Sequence, residues 1–390
     1  MRNTAFRRSS SRRFLRGAIL ALSLAGLAGC SMFSSSDPRY EPTPLTEYAP
    51  GVTAAVAWST SVGSGGGYGF APTVVGESVY AAAPGGRVVK VALGSGAVQW
   101  QADTGRELSA GAGSDGTITA VAANNGEVIA YDDKGVEKWR AKASSAINIP
   151  PVVGAGVVVV RSSDYRIQAF DAQTGEPRWQ VQRPGPALAL KTNMQLVIIQ
   201  GLVVSGMPSG RLMLIEAASG NVQWEGQVAS SQGATDLERI RDVVGTPQVQ
   251  GPLLCGVAYQ GRMVCFDVSQ GGRPIWETTF SSKTGMATDN VHAYAGDQRD
   301  VVHAFNLASG SEVWKQSALR NRRLTQPAVV PQAVAVGDLD GYVHFLSREN
   351  GHLLGRVSVG GGAVLSPPIA TTRGVLVQTG NGNLVLVGVN

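Results

Sequence analysis

Gln168-Ala-Phe-Asp-Ala-Gln-Thr-Gly-Glu-Pro-Arg-Trp179 decides how the rest of this 390-residue chain is read. It consists of a short apolar strand, a tight turn from Asp171 to Gly175, and a second strand ending in Trp179, four residues past the glycine. The turn follows from its residue types: an Asp side chain bonds backbone N–H groups just ahead of it, and Gly takes positive φ without steric penalty. The unit recurs. Gly96 to Trp100, Gly135 to Trp139, Gly220 to Trp224, Gly272 to Trp276 and Gly310 to Trp314 keep the step of four, and Gly351 to Gly355 keeps it with the tryptophan lost.

Seven such units are visible, and an eighth, beginning Gly382-Asn-Leu-Val-Leu-Val, meets the C-terminus before its last strand. At the other end, Val56-Ala-Trp58-Ser-Thr60 is a tryptophan strand with no unit before it. Pairing the two ends gives eight complete units closed in a ring. From Trp58 to Gly355 the intervals are 42, 39, 40, 45, 52, 38 and 41 residues, the period of one four-stranded propeller blade. Fifty glycines, 16% charged residues and no sustained helical periodicity beyond the N-terminal segment favour strands and turns over a helical solenoid. The expected fold is all-β: an eight-bladed β-propeller of four-stranded antiparallel blades, closed by the N-terminal strand.

The formal charge of +5 belongs to the N-terminus. Arg2, Arg7, Arg8, Arg12, Arg13 and Arg16 precede Cys30 with no acidic residue among them, and without them 27 basic face 28 acidic residues. A near-neutral body offers no electrostatic case for nucleic acid, where clustered basic charge is the expected footprint. Residues 1–16 form a basic n-region and Gly17 to Ala28 an apolar stretch, too short for the ~20 residues of a membrane span and suited to a secretory signal. It ends in Leu27-Ala28-Gly29-Cys30, which resembles the lipobox of bacterial lipoproteins. That resemblance implies cleavage after residue 29 and acyl chains, palmitate among them, on Cys30. Several chains at ~0.8 kcal/mol per buried CH₂ anchor stably where one would be marginal. Ser31 after the cysteine implies outer-membrane sorting. Residues 30–52, rich in Ser and Pro, read as a lipidated flexible tether, and 53–390 as the propeller.

Several motifs have plainer explanations. Gly63-Ser-Gly-Gly-Gly-Tyr-Gly69 lacks the Lys-Ser/Thr and the helix of a phosphate loop and reads as an inter-strand loop. Trp58, Trp100, Trp139, Trp179, Trp224, Trp276 and Trp314 stand at one point of the repeat, so inter-blade packing explains them better than a stacking site for ligand. Asp132, Asp171, Asp267, Glu216 and Asn306 cap turns; Ala92 and Ser347 at the same place break any metal rule. Cys255 and Cys265 flank a hairpin near Gln260-Gly261. A two-residue turn sets Cys255 against Phe266, whereas a three-residue loop sets it against Cys265 and permits a disulfide in an oxidising periplasm. His292, His303, His344 and His352 lack metal-ligand spacing.

The two long intervals end at Trp224 and Trp276. The longer contains Ser230 to Asp242, the most charged stretch of the body, with room for a helical turn or two; ahead of the shorter lies Pro184 to Lys191. Insertions in repeat proteins map to loops of one face, often the binding face.

The Ala-x-Asp-x-x-Thr-Gly-x-x-x-Trp pattern resembles the tryptophan-docking unit of quinoprotein (PQQ-like) propellers. With the lipobox, the count of eight and the insertions, the whole chain resembles the BamB family of lipoproteins of the outer-membrane β-barrel assembly (BAM) machine. The resemblance implies a non-catalytic scaffold that holds the periplasmic domains of BamA and aids insertion of β-barrel proteins, without a cofactor. The family's Leu-x-Leu-Arg contact segment is matched by Leu188, Leu190 and Lys191, and its Asp-x-Asp pair by Asp242 and Val244. Lys191 keeps the charge without arginine's bidentate fork, and Val244 lacks the second carboxylate. Exposed blade edges could also receive unfolded barrel strands by β-augmentation. The rival expectations are a quinoprotein dehydrogenase binding PQQ and calcium, which commonly has an adjacent cysteine pair absent here, and a propeller binding sugar or peptidoglycan.

Overall fold

The computed structural model describes residues 37–186, 188–190, 194–230 and 233–390. Cys30, the signal segment and Lys191 lie outside the described residues. Residues 37–42 belong to a first unit, Met1–Pro42, and contain a 3-10 turn at Pro38–Tyr40 whose Arg39 N–H donates to the Asp37 carboxylate at 3.0 Å.

Beyond it the chain builds eight four-stranded antiparallel sheets. Blades 1 to 7 span 73–103, 108–142, 152–181, 196–227, 243–279, 286–316 and 328–358, each running from inner to outer strand in chain order. Blade 8 combines three strands within 369–389 with the strand Ala54–Ser61. There Trp58 lies opposite Leu386 and Thr60 opposite Leu384, so the ends of the chain close the ring as the sequence predicts. Thr53 and Asn390 extend the closure by exchanging two backbone bonds of 2.9 Å. The middle strands carry the core: Val157–Arg161 and Gly374–Gln378 are buried along their whole length, while outer strands alternate with solvent.

The repeat works across blades rather than within them. In the opening stretch the Asp171 carboxylate accepts from the N–H groups of Gln173 and Thr174, both at 2.9 Å. Gly175, at φ 78°, lies flat under Trp139 of the preceding blade, where a Cβ would come within 2.6 Å of the ring. The same stack joins Gly96 to Trp58, Gly135 to Trp100, Gly220 to Trp179, Gly272 to Trp224, Gly310 to Trp276 and Gly351 to Trp314. Each glycine therefore serves the tryptophan before it in the chain, not the one four residues after it. A β-bulge next to the tryptophan, as between Ala169 and Phe170 opposite Trp179, strengthens the local twist at the ring. At 150–250 Å² and ~25 cal/mol/Å², burying one such ring stabilises by roughly 4–6 kcal/mol.

Five of the rings also make a hydrogen bond. Nε1–H of Trp58, Trp139, Trp179, Trp276 and Trp314 donates to the carbonyl of Leu93, Ala172, Ala217, Leu307 and Arg348 at 2.7–3.0 Å. That carbonyl always follows the first residue of the turn. Among the described residues Trp100 and Trp224 make no such bond, and they face the turns of deviant length. Asp132 to Gly135 is one residue shorter than Asp171 to Gly175, and Asp267 to Gly272 is one longer. At the junction of blades 7 and 8, where Gly355 replaces tryptophan, Val52 fills the space: a Cβ on Gly355 would meet its side chain at 2.9 Å.

Contacts with the ring begin earlier than Thr53, the start expected from the sequence. Gly51 N–H donates to Leu354 O at 2.9 Å, Arg356 lies over the Tyr48 ring, Leu45 packs on the core between blades 6 and 7, and Thr43 N–H donates to Arg320 O at 3.0 Å.

Candidate functional site

In an antiparallel meander the outer-to-inner connections and the turns between second and third strands leave at the same end. Both sequence insertions are connections of this type: 182–195 leads into blade 4 and 228–242 into blade 5. They are tied at their bases, where Met194 and Gly245 bridge and Gln195 N–H donates to Gly245 O at 3.2 Å.

Two clamps hold the first loop. At one, the Tyr165 hydroxyl donates to Pro186 O at 3.0 Å, and its ring presses on Gly185, where a Cβ would sit 1.8 Å from it. At the other, the Asp242 carboxylate accepts from Leu190 N–H at 2.5 Å. Leu190 is half-buried against the blade 5 core, and Leu188, between the clamps, is 44% exposed. The second loop forms one turn closed by a capping box: Glu238 accepts from the N–H groups of Ala234 and Thr235, and Glu238 N–H donates to the Thr235 hydroxyl at 3.3 Å. These backbone bonds hold the Glu238 carboxyl below its ordinary pKa. At its tip Leu237 is 66% exposed. The charged stretch thus folds as a capped turn that presents a leucine.

Asp242 and Val244 are not surface groups. Asp242 is fully enclosed, with Oδ1 unpartnered among the described residues, and Val244 is 2% exposed within the blade 5 core. Burial pushes the Asp242 carboxyl up to about 6, against the opposing pull of Leu190 N–H and the Arg161 guanidinium. Burial likewise brings Arg161 down to about 10, with Asp242 acting in the other direction. Arg161 donates to Gly206 O and, at 3.5 Å, to the Ser205 hydroxyl. Asp242 therefore acts on the surface indirectly, by fixing Leu190. A cavity of about 880 Å³ opens beside the loop, lined by Phe70, Ile149, Arg161, Tyr165, Leu188 and Leu190 among others.

Blade 5 supports this corner from behind. The loop 259–261 between its middle strands has three residues, placing Cys255 opposite Cys265, and the two are joined by a disulfide in the same core as Val244. Sequence reasoning located Leu188, Leu190 and Asp242 but missed Arg161, Tyr165 and Leu237. Only Leu237 carried a signal, as one of two large aliphatics in the charged insertion; the other, Ile240, is buried.

A ring of eight blades, docked by tryptophan at seven junctions and by Val52 at the eighth, defines a PQQ-like propeller. The family model described as outer membrane protein assembly factor BamB matches residues 84–316 and 299–390. The chain belongs to the BamB family. It is 62% identical over 384 residues to outer membrane protein assembly factor BamB of Bordetella pertussis, covering 98% of this chain and 100% of that protein. It is 37% identical to that of Burkholderia pseudomallei, covering 96% and 97%. Among solved structures, BamB from Moraxella catarrhalis superposes with a TM-score of 0.79 at 22% identity, covering 86% of this chain and all of that one. Quinohemoprotein alcohol dehydrogenase from Comamonas testosteroni reaches 0.65 at 15% identity, over 86% of this chain and 76% of that one, a likeness of fold alone. The relatives are named as assembly factors rather than enzymes.

Proposed function

We propose that this chain is a non-catalytic scaffold lipoprotein of the outer-membrane β-barrel assembly machinery that docks on the periplasmic domains of BamA. The observation that carries the reading is Leu188, an exposed apolar side chain on a loop clamped at both ends. An ordered loop loses little further entropy on binding, so its side chain can act as an anchor. Leu237 on the neighbouring capped turn supplies a second apolar contact. The partner surface comprises Leu188, Leu190, Lys191 and Leu237, while Asp242 and Val244 support it from beneath. The signal segment 1–29 is removed, Cys30 is acylated, and the propeller stands at the periplasmic face of the outer membrane.

The dehydrogenase alternative rests on fold likeness, which does not carry function. The test is co-purification from solubilised envelope. Leu188→Asp combined with Leu237→Asp abolishes recovery of BamA while leaving the circular-dichroism spectrum and thermal midpoint unchanged. Undiminished recovery would move the contact elsewhere on the ring.

A further inference from the structure

The point at which the chain leaves the propeller coincides with a basic corner. The connection 317–327, between blades 6 and 7, is held tightly: Asp300 accepts from Arg323 N–H at 2.8 Å and from Leu324 N–H at 3.1 Å, and Asn321 N–H donates to Arg299 O at 2.9 Å. Arg323 takes a φ of 52°, a region that side chains other than Gly, Asn and Asp rarely adopt. Such conformations persist where surroundings over-determine them and often mark function. Here the strained loop displays Arg320 and Arg323, both exposed. Asp300 is buried and pairs with Lys283 at 2.7 Å, while Asp338 and Asp340 both pair with Arg322.

Arg322 also reaches the outgoing chain, donating to Thr43 O at 3.0 Å, and Thr43 N–H donates to Arg320 O. Upstream of Thr43 only twelve residues separate the ring from Cys30. At no more than ~3.6 Å per residue, a segment of that length spans at most about 45 Å whatever its conformation. An acylated Cys30 therefore keeps this corner, more than any other part of the ring, close to the bilayer surface.

We propose that Arg320 and Arg323 form a second contact site that docks on anionic phospholipid headgroups of the membrane holding the lipid anchor. The proposal rests on the lipoprotein reading above. Arginine near an anionic surface contributes about 1 kcal/mol, and the contact weakens with salt. The acyl chains keep the protein at the membrane; the arginines set which side faces it. The site lies on a different arc of the ring from the 182–195 and 228–242 loops, so both contacts can be made together.

The test uses the mature chain with Cys30→Ala, which removes the anchor and leaves the headgroup term alone. Co-sedimentation with phosphatidylcholine vesicles, with and without phosphatidylglycerol, is the readout. Binding is expected only with phosphatidylglycerol, falling with added salt, and Arg320→Glu with Arg323→Glu lowers it roughly 30-fold, two contacts of about 1 kcal/mol each. Arg273→Glu, on a hairpin at the other end of the ring, leaves it unchanged. Should the double reversal fail to fold, Arg320→Gln with Arg323→Asn removes the charges while keeping a residue that accepts the left-handed backbone. Equal sedimentation with both vesicle types, or no response to either double variant, overturns the proposal. Loss of a co-purifying protein with vesicle binding intact also overturns it, in favour of an acidic protein partner. Mass spectrometry of the native lipoprotein separates the readings: acylated Cys30 without phosphatidylglycerol binding removes only the headgroup site, whereas an unmodified Cys30 removes its premise.

Discussion

Replacing Asp242 by asparagine separates its two roles, because the amide keeps an acceptor for Leu190 N–H and removes the charge. Burial raises this carboxyl from its ordinary value near 4 to about 6. The native state therefore binds the proton more tightly than the unfolded chain, and stability falls as pH rises between those values. Two pKa units correspond to about 3 kcal/mol, absent below pH ~4 and complete above pH ~6. For a ring of roughly 340 residues at ~2.1 cal/mol/K each, that amounts to about 4 °C in thermal midpoint. The midpoint of Asp242→Asn should match the parent near pH 4 and exceed it by about 4 °C at pH 7. Asp242→Ala also removes the charge but leaves Leu190 N–H without its acceptor, a loss of about 1–3 kcal/mol that offsets much of the gain. Scanning calorimetry from pH 4 to 8 reads the first effect, and hydrogen exchange of the Leu190 amide reads the second. A pH-independent difference between Asp242→Asn and the parent, or equal Leu190 protection in the Asn and Ala variants, would refute the reasoning.

Two further substitutions probe the ring. Gly175→Ala combines an unfavourable φ with a Cβ 2.6 Å from Trp139, so denaturant unfolding should show a loss of about 2–5 kcal/mol; Gly105→Ala, at φ 62° with open space around it, should lose only about 1–2. Trp139→Phe breaks a hydrogen bond to Ala172 O that Trp100 does not make to its neighbour, so it should destabilise by about 1 kcal/mol more than Trp100→Phe, measured the same way.

The ring was legible because its local and long-range signals agree. The turn chemistry of Asp171 to Gly175 and the recurring tryptophan both follow from one repeated geometry. Trp58 without a unit and Leu384 without a partner strand together specified the closure. The direction of docking was not legible, because the spacing of glycine and tryptophan within a repeat is the same whichever ring the glycine serves. The packing of Thr43 to Val52 on blade 7 was hidden too: its Pro-containing sequence has no strand period, and its contacts are made 300 residues away in the chain. At the site, insertion length singled out the two loops. It could not reveal that Asp242 is enclosed, since a carboxylate in a charged stretch normally stays in water and only the fold of blade 5 removes it. Arg161 ends a middle strand and Tyr165 lies in the turn after it, and their role appears once the segment ending at Leu190 lies beside them.

The central claim, that the clamped loop before blade 4 meets BamA, is tested most directly by photocrosslinking in living cells. A crosslinking side chain is placed at Leu188 and, for comparison, at the exposed Ile275 on a hairpin at the opposite end of the ring. An adduct with BamA from position 188 and none from 275 is the predicted result; an adduct from 275 with none from 188 would contradict it.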